Sequence, residues 1–224
     1  MLKGKTLKFI RELYHLSPFR KYFFYRYHYM FSPQQLFFIC ENIKKTKDID
    51  GSILEIGCAE GRTTVFVNKY MQKEGIDKQY IAIDTFSGFT SNDIEFEQEN
   101  RNKNKNVLKT QFVANKKKWV EATLTNNGVN DVQIYEADIN KFEFEKNNIN
   151  RIAFCLIDVD LYLPALSALE KVYDKLSHGG IIIVDDCQQD EYYDGALQAY
   201  QEFVKFNKLP EKIVHEKLGI IEKK

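Results

Sequence analysis

The stretches Ile152-Ala-Phe-Cys-Leu-Ile-Asp-Val-Asp-Leu-Tyr162 and Leu176-Ser-His-Gly-Gly-Ile-Ile-Ile-Val-Asp-Asp186 decide how this chain folds. Residues 152–157 and 181–184 are continuously apolar, and both runs end in carboxylates: Asp158 and Asp160 after the first, Asp185 and Asp186 after the second. Between them Leu163, Leu166, Leu169, Tyr173 and Leu176 recur at helical spacing, and Gly179-Gly180 is expected to close that helix. Strand, crossover helix and strand make a βαβ unit. Its parallel strands are buried on both faces, which is why neither run alternates apolar with polar residues.

Neighbouring parallel strands lie roughly 4.8 Å apart, so acids at matching strand ends crowd together. Carboxylates that close cannot all stay ionised; they take up a cation or hold protons. A hard divalent ion with oxygen ligands, such as Mg²⁺, meets that demand. A lone Asp at a strand end is more simply a helix cap facing water. An Asp at one end facing an Asp-Asp pair at the next favours the cation.

Working outward, 224 residues suffice for one sizeable α/β domain, and 44% apolar with 29% charged residues is ordinary for a soluble globular protein. The formal net charge of zero gives no reason to expect nucleic acid as a partner. Cys40, Cys58, Cys155 and Cys187 are scattered without a CxxC pair, which fits a reducing cytoplasm and argues against a disulfide framework or a zinc site. No apolar run approaches the ~18 residues of a membrane span. Charges interrupt every short apolar run near the N-terminus, so no signal-peptide core is expected.

Residues 1–33 are basic and aromatic, with Phe19, Tyr22, Phe23, Phe24, Tyr25, Tyr27, Tyr29 and Phe31 close together. Three roles compete for this helical segment: a cap on the cleft, a dimer contact, or attachment to a membrane surface. Aromatics on both faces favour protein–protein burial, and hence a homodimer or higher homo-oligomer. A helix is expected from Pro33, with Leu36, Ile39, Cys40 and Ile43 inward. Strands follow at Ile53–Ile56, Tyr80–Ile83 and Val132–Tyr135, and helices at Thr63–Tyr70 and Trp119–Leu124. Residues 91–118 are rich in Asn, Lys, Glu and Gln and are expected to form a mobile lid or insertion. Beyond the central unit, 195–206 is expected as a helix, and 213–214 and 218–221 as a closing pair of strands.

The first of these strands breaks into Gly57-Cys-Ala-Glu-Gly61 and is followed by a helix. Glycine there lets backbone approach a ligand, and the helix N-terminus favours an anionic group. A dinucleotide fingerprint GxGxxG would need glycine where Ala59 stands. Glu55-x-Gly57-xxx-Gly61 instead resembles motif I of class I S-adenosylmethionine (SAM) methyltransferases. Asp84 ends the next strand, where a carboxylate would accept hydrogen bonds from a ribose diol. Asp138 follows the third, where it would hold an adenine amino group. Either alone is as readily a strand-end cap, but successive acids and a glycine loop on one carboxyl edge mark a ligand site.

With these residues in hand, the chain resembles the macrocin O-methyltransferase (TylF/MycF-type) family. The matching segments are Leu54-Glu-Ile-Gly-Cys-Ala-Glu-Gly61, Ile83-Asp-Thr-Phe-Ser-Gly-Phe89, Asp158-Val-Asp-Leu-Tyr162 and Leu176–Asp186, within residues 34 to 221. The resemblance implies a Rossmann-like doubly wound α/β fold over residues 34–224, seven-stranded and mostly parallel with the last strand antiparallel. It implies SAM against Glu55, Gly57, Cys58, Ala59, Gly61, Asp84, Thr85, Phe86 and Asp138, and Mg²⁺ at Asp158, Asp185 and Asp186. Asp158 would also be the proton acceptor; Asp160 is the weaker candidate, since alternation would aim it elsewhere only if the strand continues past Asp158. The reaction implied is methylation of a hydroxyl on a sugar or similar small molecule. Residues 1–33 and 91–118 match nothing in the pattern, so the acceptor does not transfer with it.

Catechol-type O-methyltransferases are similar at the metal acids but carry lysine three residues after the first aspartate, where this chain has Leu161. Two further alternatives are a non-catalytic SAM-binding protein and an NAD-dependent oxidoreductase, the latter disfavoured by Ala59 and the Asp-Asp pair. His15, His28, His178 and His215 offer no metal-ligand spacing.

Overall fold

The computed structural model describes residues 4–18, 27–190 and 192–224. Two compact units are distinguished, Met1–Met30 and Phe31–Lys224. The first contains helix α1 (Gly4–Leu16), with an exposed Lys8–Glu12 pair one turn apart. The aromatic residues expected at 19 and 22–25 lie outside the described residues.

The second unit runs α2 (Pro33–Lys45), β1 (Ser52–Ile56), α3 (Arg62–Glu74), β2 (Tyr80–Asp84), α4 (Ser91–Arg101), α5 (Lys105–Leu108), α6 (Lys117–Asn126) and β3 (Val132–Glu136). It continues with β4 (Ile152–Ile157), α7 (Tyr162–Lys175), β5 (Leu176–Val184), α8 (Gly195–Phe206), β6 (Ile213–Val214) and β7 (Leu218–Glu222). One seven-stranded sheet results, in the order β3-β2-β1-β4-β5-β7-β6. The first five are parallel; β7 runs antiparallel to β5, and β6 antiparallel to β7. From β1 the chain winds outward to β2 and β3, then returns to start β4 on the other side. The strand order therefore reverses between β1 and β4, and ligands of open α/β sheets bind at such a switch point.

Local sequence explains the elements. Ser32 and Gln35 form a reciprocal capping box ahead of Pro33, which starts α2 with its apolar face inward as expected. Every residue of β4 is buried, as a central parallel strand requires. In α7 the buried face is Pro164, Ala165, Ala168, Leu169 and Val172, while Leu163, Leu166 and Tyr173 are only half-buried. Small residues allow close approach to the sheet, and apolar residues on both sides of that face made its phase ambiguous.

Gly179-Gly180 does not close α7. The helix gives way to β5 at Leu176, and the glycines lie within that strand. Pairing with β4 jumps from Ile152–Leu176 to Phe154–Ile181, so residues 177–180 bulge out of register. Gly179 takes φ +77° there and donates to Lys223 O at 2.6 Å, a turn that glycine makes without strain.

Residues 91–118 carry more helix than their composition suggests. They form α4, α5 and the start of α6, and α4 buries Asp93, Ile94 and Glu97. No helix among the described residues is long and apolar enough to cross a membrane.

Candidate active site

The carboxyl edge of the sheet is held level by hydrogen bonds that continue past the strand ends. Ala137 N donates to Asp84 O, Gly57 N to Ile83 O, Asp158 N to Ile56 O and Asp185 N to Ile157 O, each at 2.8 Å. The glycine loop, Asp84, Asp158 and Asp185 thus stand side by side, as the apolar runs predict.

Gly57 sits at the switch point with φ +89°, and a Cβ there would lie 1.7 Å from Asp158 O. No other residue fits between the loop and the first acid. Beneath the loop, Glu55 is 1% exposed and accepts from Thr64 Oγ1 (2.6 Å) and Tyr80 Oη (2.9 Å). Burial pushes its carboxyl up to about 7 against these hydroxyls, which favour the charged form.

Asp84 staples two loops together. Its Oδ2 accepts from Ala59 N (2.8 Å) and its Oδ1 from Phe86 N (2.7 Å). With the Cys58 backbone also bonded to it, the carboxylate keeps acceptor capacity for a further donor. Cys58 and Phe86 are buried in a small cluster with Val120 and Leu124, and Thr85 Oγ1 donates to Gly88 O at 2.7 Å. Gly61 directly precedes α3, with its N–H on Cys58 O. Asp138 accepts from Asn140 N at 2.9 Å and pairs with Lys141.

Past the end of β4 the chain turns sharply, and Asp160 takes φ +63°. Carboxylate oxygens of Asp158, Asp160 and Asp186 consequently lie within 4.8 Å of one another, each on a partly buried residue. Asp185 lies outside that trio. It is 3% exposed, its Oδ2 accepts from Lys217 Nζ at 2.6 Å, and its Oδ1 has no hydrogen-bond partner. Lys217 Nζ also reaches Asp186 Oδ1 at 3.1 Å. Burial, then the charges of Asp185, Asp160 and Asp186, holds Asp158 well above the ordinary carboxylate range. Burial and Asp186 do the same for Asp160. Burial and Asp186 raise Asp185, with Lys217 opposing. Such a set takes protons or a cation, and all-oxygen donors suit a hard divalent ion. Ala59, Phe86, Asp160 and Asp186 all have positive φ without being glycine, a concentration of backbone strain on one edge.

Several residues here gave no signal in the sequence. Glu97, 0% exposed, accepts from Tyr162 N at 2.8 Å and pairs with Arg101 at 2.8 Å; Arg101 in turn reaches Asp194. This clamp ties α4 to the first turn of α7, next to the acids. Asn115 Nδ2 donates to Ala59 O at 2.6 Å, so the 91–118 region also holds the glycine loop. Phe89, Phe112 and Tyr193 form an aromatic cluster with centroid separations of 5.5 to 6.5 Å. Burial raises the Tyr193 phenol, and the charges of Asp160, Asp190 and Asp186 add to it.

Sheet order, glycine loop and strand-end acids together define a Rossmann-like methyltransferase fold, and the comparisons agree. The O-methyltransferase NovP superposes with TM-score 0.70 at 17% identity, over 88% of this chain and 83% of that one. The calicheamicin methyltransferase CalS11 gives 0.71 at 18% identity, over 97% and 91%. An apo structure of CalS11, described as a TDP-rhamnose 3'-O-methyltransferase, gives 0.59 at 18%, over 97% and 93%. None of the curated proteins matches the sequence. The family model for macrocin O-methyltransferase (TylF) matches residues 34–218, and the chain belongs to that family. It is therefore a methyltransferase, and SAM is the cofactor the family implies.

Proposed function

We propose that this protein is an O-methyltransferase that uses SAM and a divalent cation, Mg²⁺ by preference, to methylate a hydroxyl of a sugar or similar ring-shaped natural product. The convergence of Asp158, Asp160 and Asp186 beside Gly57 at the β1–β4 switch point carries this reading. When bound, SAM supplies the methyl group, and the cation supplies Lewis acidity to the acceptor oxygen.

The remaining work falls to this chain's own residues. The cradle at Gly57–Gly61 seats the amino-acid end of the cofactor, Asp84 offers its remaining acceptor capacity to the ribose, and Asp138 is placed for the base. Asp158, Asp160 and Asp186 hold the cation, with Asp185 behind them. With the cation's charge beside it, Asp158 is ionised and would accept the proton from the acceptor hydroxyl. Phe89, Phe112 and Tyr193 form a wall on which a ring can lie. One of the similar structures is that of a TDP-rhamnose 3'-O-methyltransferase, which supports a sugar hydroxyl as acceptor.

S-adenosylhomocysteine release, measured across a panel of deoxysugar nucleotides and glycosides with Mg²⁺ or EDTA, tests the proposal. Turnover of a sugar hydroxyl that EDTA abolishes is expected. Turnover indifferent to EDTA would remove the cation from the mechanism.

A further inference from the structure

The segment between α5 and α6 lies against both loops of the cofactor cradle. Its backbone comes so near the Asp84 turn that a Cβ on Gly88 would lie 2.6 Å from Gln111 O. Val120, in the first turn of α6, is buried in one cluster with Cys58 and Phe86. Between these two points Asn115 Nδ2 donates to Ala59 O at 2.6 Å. The other end of that amide is already used, since Asn115 Oδ1 accepts from Lys116 N at 2.8 Å. The donor end therefore faces the glycine loop.

Ala59 is a residue that needs holding. It takes φ +44°, left-handed backbone that disfavours a Cβ and that glycine would adopt freely. Both ends of the residue are fixed. Its N–H donates to Asp84 Oδ2 at 2.8 Å, and its carbonyl accepts from Asn115. An alanine released from such bonds relaxes toward negative φ. Strained backbone of this kind, kept by bonds from two other segments, marks a shape that is put to use.

We propose that Asn115 is a positioning residue for the cofactor: by holding Ala59 O it keeps the glycine loop in its left-handed shape before the cofactor arrives. This rests on SAM binding at Gly57–Gly61. Without the amide, the competent loop becomes a minor part of the population, and affinity falls by that fraction. Glycine at position 59 has no such preference, so losing the amide costs little there.

Calorimetric titration with S-adenosylhomocysteine of wild type, N115A, N115D, A59G and the double variant A59G/N115A tests this. N115A is expected to bind about tenfold more weakly than wild type. N115D is expected to be at least as weak, because a carboxylate has no donor for Ala59 O. In the A59G background the same N115A change is expected to cost less than about threefold. Binding by N115A or N115D within about threefold of wild type overturns the role of Asn115 and leaves the cofactor site standing. An equal loss in both backgrounds shows that Asn115 acts other than through Ala59, and likewise overturns it. So does a complete loss of binding in A59G alone, since glycine adopts the observed φ without strain. Should N115A fold poorly, the comparison is read as the ligand-dependent rise in melting temperature. A smaller rise in N115A than in wild type, with equal rises in A59G and A59G/N115A, supports the inference; any other pattern refutes it. If wild type binds neither SAM nor S-adenosylhomocysteine, the cofactor site itself is refuted and this inference with it.

Discussion

Glu55→Gln should make the protein more stable at pH 8, and by much less at pH 5. The wild-type carboxyl is fully buried and pushed from 4.5 to about 7. Folded protein therefore holds a proton that the unfolded chain has already released. Its contribution is complete below 4.5 and lost as the pH rises to about 7, so stability falls with rising pH in that window. A displacement of that size corresponds to roughly 3 kcal/mol at 1.36 kcal/mol per pH unit. Glutamine keeps the shape of the protonated acid, still accepts from Thr64 and Tyr80, and cannot ionise. Urea unfolding followed by circular dichroism, with EDTA, at pH 5 and pH 8 measures the effect. The other raised acids tilt both proteins alike, so the difference between them isolates Glu55. A wild type to E55Q difference that stays constant between the two pH values would refute the reasoning, as would one that grows in favour of wild type.

Three other outcomes follow from the geometry. Gly57→Ala drives a Cβ into Asp158 O at a positive φ, and should cost several kcal/mol and abolish SAM binding by calorimetry. Glu97→Ala leaves Arg101 half-paired and Tyr162 N uncapped in a buried site. A loss of ~3 kcal/mol is expected, read as a melting temperature lower by roughly 6–12 °C; a drop under 2 °C would show the clamp to be idle. Asp158→Asn should abolish Mg²⁺-dependent turnover with SAM affinity kept within several-fold. Lost SAM affinity with turnover retained would reverse the role assignment.

Much of the fold was legible because parallel strands announce themselves as unbroken apolar runs, and their carboxyl ends fall wherever those runs stop. That alone placed Gly57, Asp84, Asp158 and Asp185 along one edge. What periodicity does not carry is direction after a strand ends. Asp160 joins the trio after the chain has left β4 at Ile157 and turned through φ +63°, so its direction was not set by strand periodicity. Lys217 was hidden for another reason: its partners are about thirty residues upstream in sequence and are met only once β7 pairs with β5. In α4 the buried side is largely polar, with Asp93 and Glu97 satisfied by Asn140, Arg101 and Tyr162 N. A helix that buries charges against partners elsewhere in the chain shows no apolar stripe, and its composition suggests disorder. Gly179-Gly180 misled for the converse reason, since a glycine pair that ends a helix and one that forms a strand bulge look alike.

The most direct test is anomalous diffraction from crystals grown with S-adenosylhomocysteine and Mn²⁺. A single manganese peak is expected between the carboxylates of Asp158, Asp160 and Asp186, beside the sulfur of the bound product at Gly57. No peak at those carboxylates, or one on the far side of the sheet from the glycine loop, would contradict the cation-assisted transfer proposed for this protein.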